Sequence, residues 1–161
     1  MTLRIAIVLL ICMTAAGCSA TRPQTPNETK IPVPSFQIKV TLSDAAAKKL
    51  RDAGESIKGF VIFDGDGTPK NHEDSTGGGR AVELGSFWFE TAEAGVVSVT
   101  DAVILDEAFR RLSDADYYYT INVFSGRRVF RDNILDGGYA EGHISDAVKA
   151  PIEIRCDLLE R

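Results

Sequence analysis

Alternating apolar and polar residues mark most of the predicted strands of this chain. In Phe36–Leu42 every second residue is apolar, which is the two-residue period of a strand with one buried face. The polar residues of its other face favour an antiparallel sheet with one side in water. Similar β-rich stretches predict strands over residues 57–63, 81–90, 96–100 with a continuation at 102–105, 117–124, 127–134 and 151–158.

Two short helices are predicted between these strands. Ser43 is a good N-cap for a helix over residues 44–53, and Gly54 is a typical residue to end it. Asp106 would cap a second helix over residues 107–112. Because the strands do not alternate with long helices, a doubly wound parallel sheet is disfavoured. We predict an antiparallel β-sandwich of six to seven strands with two short connecting helices, and a partly open β-barrel as the alternative.

Two polar, glycine-rich stretches, residues 64–79 and 136–145, are predicted to be loops. The first opens with Asp-Gly-Asp-Gly, which is a turn signal and also the start of a calcium-loop pattern. That pattern requires an acid at its fifth position and a glutamate at its twelfth, which are Thr68 and Ser75 here. We therefore interpret residues 64–67 as a turn, with weak cation binding as the alternative. We predict no metal site and no cofactor.

The first residues of the chain carry the pattern of a secretory signal. Arg4 precedes a nearly unbroken apolar run over residues 5–16, and small residues close the run. The run is too short to cross a bilayer as a helix, which takes about 20 apolar residues.

Residues 15–18, Ala-Ala-Gly-Cys, resemble the lipobox of bacterial lipoproteins. The resemblance implies that residues 1–17 are a lipoprotein signal peptide and that Cys18 is acylated. Ser19 after the cysteine, in place of aspartate, implies anchoring in the outer membrane, on its periplasmic face. The alternatives are an ordinary signal peptide cut near Ala20 and an unprocessed core helix.

The rest of the chain is predicted to be a linker and one domain. Residues 18–35 contain the cysteine and a polar stretch with four prolines, which lacks the apolar residues needed for a core. Residues 36–161 are long enough for a single β-sandwich domain.

The charge balance argues against some partners. The chain has 18 basic and 23 acidic side chains, a formal net charge of −5. Because binding to nucleic acid requires a basic face, we predict no nucleic-acid partner. The N-terminal lipid is the only membrane contact that we predict.

No catalytic residue is predicted. The histidines, His72 and His143, both fall in predicted loops, and no serine lies in a nucleophile elbow. A pair of acidic side chains brought together by the fold is left open as a site. Of the three cysteines, Cys12 would be removed with the signal peptide and Cys18 would carry the lipid. The remaining Cys156 is predicted to be a buried, unreactive thiol, with a reactive thiol as the alternative.

Three arginines within five residues form the most distinctive cluster of the predicted domain. On an extended strand Arg127 and Arg131 would share a face, with Arg128 opposite, and Tyr118 would lie one strand away. Arginine is common at protein-binding hot spots, so these four residues are the predicted partner-binding candidates. The alternative is that the arginines pair with the chain's own acids.

These observations favour a non-catalytic module that binds a protein in the periplasm. A sharper form of this hypothesis is an inhibitor or immunity protein against a secreted toxin. The alternative is a structural or assembly lipoprotein of the cell envelope, and a hydrolase using His72 or His143 ranks third.

Overall fold

Two four-stranded β-sheets pack face to face and enclose the hydrophobic core. The computed structural model describes residues 28–68 and 82–160. The predicted signal peptide, Cys18, most of the predicted linker and His72 lie outside these residues. In chain order the elements are β1 (Lys30–Pro32), β2 (Phe36–Leu42), α1 (Asp44–Ala53), β3 (Ile57–Gly65), β4 (Val82–Thr91), β5 (Gly95–Val99), β6 (Val103–Leu105), α2 (Asp106–Phe109), β7 (Tyr118–Ser125), β8 (Leu135–Asp136), β9 (Tyr139–His143), α3 (Ile144–Ala147) and β10 (Ile152–Leu158).

The strand order confirms the predicted sandwich. One sheet has the order β5-β2-β10-β8 and the other has the order β4-β3-β7-β9, while β1 and β6 form a short ribbon. All the pairs are antiparallel except β2 with β10, which run parallel. The sheets do not close into a barrel, so the alternative architecture is wrong.

The core lies between the two sheets because each central strand turns its apolar positions inward. In β2 the buried residues alternate with exposed ones, as the sequence predicted. In β7 Tyr119, Ile121 and Val123 are buried, and the residues between them are partly or fully exposed. The largest side chains that are almost fully buried come from both sheets, and include Ile38, Phe63, Leu84, Ile121 and Ile154.

Helix α1 connects the two sheets and follows the predicted bounds. The Ser43 side chain accepts a hydrogen bond from the N–H of Ala46 at 3.4 Å and so caps the first turn. Gly54 ends the helix with φ 68°, a left-handed conformation that glycine adopts at little cost. Ala46 and Leu50 are buried, so this face attaches the helix to the sandwich.

The chain joins the folded domain earlier than predicted. Strand β1 pairs with β6, and the N–H of Val33 donates to the carbonyl oxygen of Ala102 at 2.9 Å. Val33 is only 5% exposed. The predicted linker boundary at residue 35 is therefore wrong, since the fold begins by Lys30. Pro32 is compatible with this arrangement because a short edge strand tolerates a proline.

Two predicted turn or loop segments are instead part of the sheets. Strand β3 continues to Gly65, and Gly67 makes a bridge to Leu112, so residues 64–67 are not a simple turn. Residues 136–145 contain β9 and the start of α3 instead of a loop, which also adds a third helix to the predicted two. Glycines there allow close packing: a Cβ on Gly138 would lie 2.1 Å from the carbonyl oxygen of Val123.

Cys156 is buried in the core, as predicted. Burial raises the pKa of its thiol to about 11, and the nearby Asp157 and Asp136 add to the effect. The thiol is therefore protonated at neutral pH and a poor nucleophile.

Across residues 28–68 and 82–160, every helix falls short of the length and apolar character that a membrane crossing requires.

The early start of the fold can be tested by truncation. We expect a chain that begins at residue 28 to unfold in urea with the same free energy as a chain that begins at residue 18. A chain that begins at residue 36 should lose about 2 kcal/mol or more, because burying a valine side chain contributes about 1.5–3 kcal/mol and the β1–β6 pairing is also removed. Equal unfolding free energies for the two truncations would contradict a folded role for residues 30–33.

Candidate binding face

The outward side of the β4-β3-β7-β9 sheet carries a group of aromatic side chains, which we call the aromatic face. It consists of Phe60 on β3, Trp88 on β4, Phe124 on β7 and Tyr139 on β9. Alternation along each strand turns these residues away from the core, and register aligns Trp88 with Phe60 and Asn122 with Tyr139. Four distant parts of the chain thus contribute to one surface.

Three rings of the aromatic face, those of Trp88, Phe60 and Phe124, form a row of contacts centred on Phe60. The ring centroids of Phe60 and Trp88 are 5.0 Å apart, and those of Phe60 and Phe124 are 6.1 Å apart. Aromatic pairs at these distances add favourable interactions beyond the burial of their area. Trp88 is nevertheless 62% exposed and Tyr139 is 58% exposed.

The outward side of the other sheet is different in character. Its central strands present Lys39 and Thr41 on β2 and Glu153 and Arg155 on β10. Lys39 and Glu153 are register partners and form an ion pair at 2.9 Å. The outward positions of these two central strands are therefore charged or polar, whereas among the described residues the exposed aromatic rings, Trp88 and Tyr139, belong to the aromatic face.

Arg127 and Arg128 border the aromatic face, through the ring of Phe124 and through Glu90, but the three candidate arginines do not lie on the strand that the sequence predicted. Residues 126–131 form a loop after β7, which we call the arginine loop. Arg127 has φ 57°, a left-handed conformation that does not fit a strand. The predicted alternation of Arg127 and Arg131 against Arg128 is therefore wrong.

The conformation of the arginine loop is set by the carboxylate of Glu55, which is 2% exposed. Its oxygens accept hydrogen bonds from the backbone N–H groups of Arg128, Val129 and Phe130, at 3.1, 2.8 and 3.0 Å. The N–H of Ser56 donates a fourth bond at 2.9 Å. Successive N–H groups that point to one side form an anion-binding nest, and here the anion belongs to the chain itself.

These bonds also determine the protonation of Glu55. Burial by itself raises the pKa of this carboxyl group, but the four N–H donors outweigh it and the pKa lies below its ordinary value of 4.5. A buried carboxylate with four hydrogen bonds is stable as an anion.

The arginine loop also approaches the sandwich closely at Gly126. Its N–H donates to the carbonyl oxygen of Ser56 at 2.7 Å. A Cβ at this position would lie 1.9 Å from the Ser56 hydroxyl oxygen, so glycine is required here. Glu55 and Gly126 together hold the loop beside the sheet.

Arg128 is already engaged within the chain. Its Nε donates to Glu90 at 2.5 Å, and Glu90 also accepts from the Ser56 hydroxyl at 2.6 Å. Lys58 lies 3.4 Å from the same carboxylate. The bond from Arg128, followed by that from Ser56, lowers the pKa of Glu90 to about 2. For Arg128, the hypothesis of pairing with the chain's own acids is therefore correct.

Tyr118 lies on the same side of the sheet but at the other end of β7. Its ring packs against His143, with centroids 4.2 Å apart. Tyr118 and Phe124 are six residue steps apart along the extended strand, a distance of about 20 Å. The fold therefore separates Tyr118 from the three arginines, and the predicted group of four is not one site.

The polar residues near His143 have structural contacts and do not form a nucleophile–base pair. The Ser145 hydroxyl donates to Asp116 at 2.8 Å, and not to the imidazole of His143. Asp116 also accepts the N–H of Ser145 at 3.0 Å, which fixes the start of α3. The bond from the Ser145 hydroxyl contributes most to lowering the pKa of Asp116, ahead of the opposing effect of burial.

Within the described ranges, 28–68 and 82–160, no group of three His, Cys, Asp or Glu side chains has a geometry suited to a metal ion. Asp64 and Asp66, which begin the calcium-like pattern, lie in and directly after β3.

The aromatic face was only partly visible in the sequence. Alternation correctly placed Trp88 opposite Phe87 and Phe89, but it does not show which of the two sides faces water. The contact of Phe60 with Trp88 and Phe124 depends on strand register, for which the sequence has no local signal. Glu55 was missed because its partners lie more than 70 residues away in the chain.

Comparison with models of known protein families, with curated proteins and with solved structures found no match to this chain.

The role of Glu55 can be tested with Glu55→Gln, which keeps the shape of the side chain but removes its charge. We expect a loss of about 2–3 kcal/mol in the free energy of unfolding at pH 7, because hydrogen bonds to a charged group contribute about 1.5–3 kcal/mol. The exposed residue Glu93 lies nearby, and Glu93→Gln is the matched control, with an expected change below about 0.5 kcal/mol. Urea unfolding measures both.

The stabilisation that Glu55 provides should also depend on pH. The folded-state pKa of Glu55 lies below 4.5, so its stabilisation is present above pH 4.5 and is lost as the pH falls further and the carboxylate is protonated. The stability difference between the wild type and Glu55→Gln should therefore shrink below pH 4.5. A difference that stays constant down to pH 3 would show that the charge of Glu55 is not what holds the loop.

Proposed function

We propose that this chain is a lipid-anchored, non-catalytic module that binds a protein partner through the aromatic face, at the periplasmic side of the outer membrane. The observation that carries the proposal is the exposure of Trp88 and Tyr139 on one sheet face, where Trp88 packs on Phe60 and Phe60 packs on Phe124. Tyrosine, tryptophan and arginine are the residues most enriched at protein-binding hot spots.

The partner must contact more than the aromatic rings. Four strands about 4.8 Å apart and about six residues long cover roughly 400 Å², whereas a stable protein interface buries about 800 Å² on each partner. The arginine loop borders this face and adds exposed side chains at Arg127, Val129 and Arg131. We therefore include the arginine loop in the proposed surface.

The anchor rests on the resemblance of residues 15–18 to a lipobox. With β1 starting at Lys30, residues 19–29 would form the tether. An extended chain of this length reaches about 35 Å, enough to hold the domain clear of the headgroups while keeping it near the membrane. A partner in the same membrane or in the adjacent cell wall is within reach.

The proposal can be tested by placing a photo-crosslinking amino acid, p-benzoylphenylalanine, at position 88 or 139 in living cells. We expect each position to yield a protein adduct of defined mass, because the face contacts its partner there. Val148 lies after α3 and is 47% exposed, so the same amino acid at position 148 is the control. The identity of the adduct separates a toxin inhibitor from an assembly lipoprotein.

Adducts at position 148 equal to those at positions 88 and 139 would contradict a specific face. An adduct with peptidoglycan alone would favour the structural alternative over a protein partner.

The anchor is tested separately with Cys18→Ala. We expect the wild type to incorporate labelled palmitate and to fractionate with outer membranes, and the variant to lose both properties, because the thiol of Cys18 is the proposed site of acylation. Ser19→Ala is the control and should keep the label. An unlabelled wild type would contradict the proposed lipid anchor, but it would not bear on the proposed binding through the aromatic face.

A further inference from the structure

We infer that Arg127 makes the aromatic face selective for a polypeptide segment that carries carboxylates next to aromatic or other large apolar side chains. This inference rests on the proposed binding function and names the chemistry of the partner. It is carried by the position of Arg127, by the engagement of the neighbouring cations and by the rigidity of the arginine loop.

Arg127 lies at the edge of the aromatic face. Its guanidinium carbon is 5.8 Å from the ring centroid of Phe124, and the residue is exposed. A guanidinium over an aromatic ring is held in place by the ring and keeps its N–H donors available at the edges. A carboxylate of a ligand whose apolar part lies on Phe124 is thus close to a cation.

The charge of Arg127 is not neutralised within the part of the chain that the structure describes. No carboxylate oxygen there lies within 4 Å of its guanidinium nitrogens, and the same is true of Arg131. Arg128 and Lys58, in contrast, share Glu90. Two of the three arginines of the loop therefore have charge to offer to a partner, and Arg127 is the one over the aromatic face.

The loop holds Arg127 in place before any partner binds. Glu55 accepts hydrogen bonds from the three N–H groups that follow Arg127. The preceding residue, Gly126, is fixed by the hydrogen bond from its N–H to the carbonyl oxygen of Ser56. Binding then does not have to order the backbone, which reduces the entropic cost of a charged contact. A planar guanidinium in a fixed position favours a bidentate carboxylate contact.

A polypeptide fits this arrangement better than a polyanion. The chain as a whole carries a net charge of −5, so a nucleic acid or a strongly anionic surface is repelled. One or two carboxylates next to apolar side chains gain the local attraction of Arg127 and Arg131 without large repulsion. The rings of the face bury the apolar side chains.

The test uses a display library of random twelve-residue peptides, selected for binding to the full mature chain. We expect the selected peptides to be enriched in Asp and Glu next to aromatic residues. Arg127→Glu should weaken binding of an acidic selected peptide by about tenfold or more, since a hydrogen-bonded charge pair is lost and a repulsion is added. Arg155→Glu, on the outward side of the other sheet, is the control and should bind as the wild type does.

A second variant keeps the test decisive if Arg127→Glu does not fold. Arg127→Gly suits φ 57° and removes only the side chain, so it should fold and bind aromatic peptides without a preference for acidic ones. Heteronuclear NMR spectra of each variant report whether the loop keeps its structure.

The outcomes separate this inference from the proposed function. The role of Arg127 is overturned if the selected peptides are aromatic without an acidic preference, or if acidic peptides bind Arg127→Gly as well as the wild type. Either result is still compatible with binding through the aromatic face. Peptides that bind Trp88→Ala unchanged overturn both. Displacement of the selected peptides by soluble peptidoglycan fragments or by anionic phospholipid vesicles overturns the assignment to a polypeptide.

Discussion

The carboxylate of Glu55 is the constraint on which the candidate surface depends. A buried anion is costly unless every lone pair has a donor, and here four backbone N–H groups supply the donors. The carboxylate and the arginine loop therefore depend on each other. The loop satisfies the charge, and the charge forces three consecutive N–H groups to converge, which bends residues 126–131 away from a strand and places Arg127 over the aromatic face.

The two outer sides of the sandwich differ in the residues that they expose. The side formed by β2 and β10 is charged and pairs its charges across strands, as at Lys39 and Glu153, which is the pattern of a surface that stays in water. The side formed by β3, β4 and β7 groups aromatic rings that remain partly exposed. Since both sides use the same alternation, the difference lies only in which residue types occupy the outward positions.

Local signals in the sequence determined what could be predicted. The caps Ser43 and Gly54 located α1 to the residue, and alternation located β2 and its buried face, because each of these depends on neighbours within a few residues. The strand at Lys30–Pro32 was missed because prolines indicate a linker unless a partner strand such as β6 is known. The hydrogen bonds of Glu55 and the ring contacts of the aromatic face could not be predicted, since both join distant segments of the chain. The sequence showed that three arginines lie close together, but not the conformation of their backbone.

The parallel pairing of β2 with β10 has a consequence for the order in which the protein is made. Strand β10 is central in its sheet, between β2 and β8, and its partner residues in β2 precede it by 114 positions, as for Lys39 and Glu153. While the ribosome is still synthesising residues 152–158, that sheet lacks its middle strand and β2 has no neighbour on one side. This sheet therefore forms completely only after β10 has left the ribosome, because pairing across so long a separation cannot begin earlier.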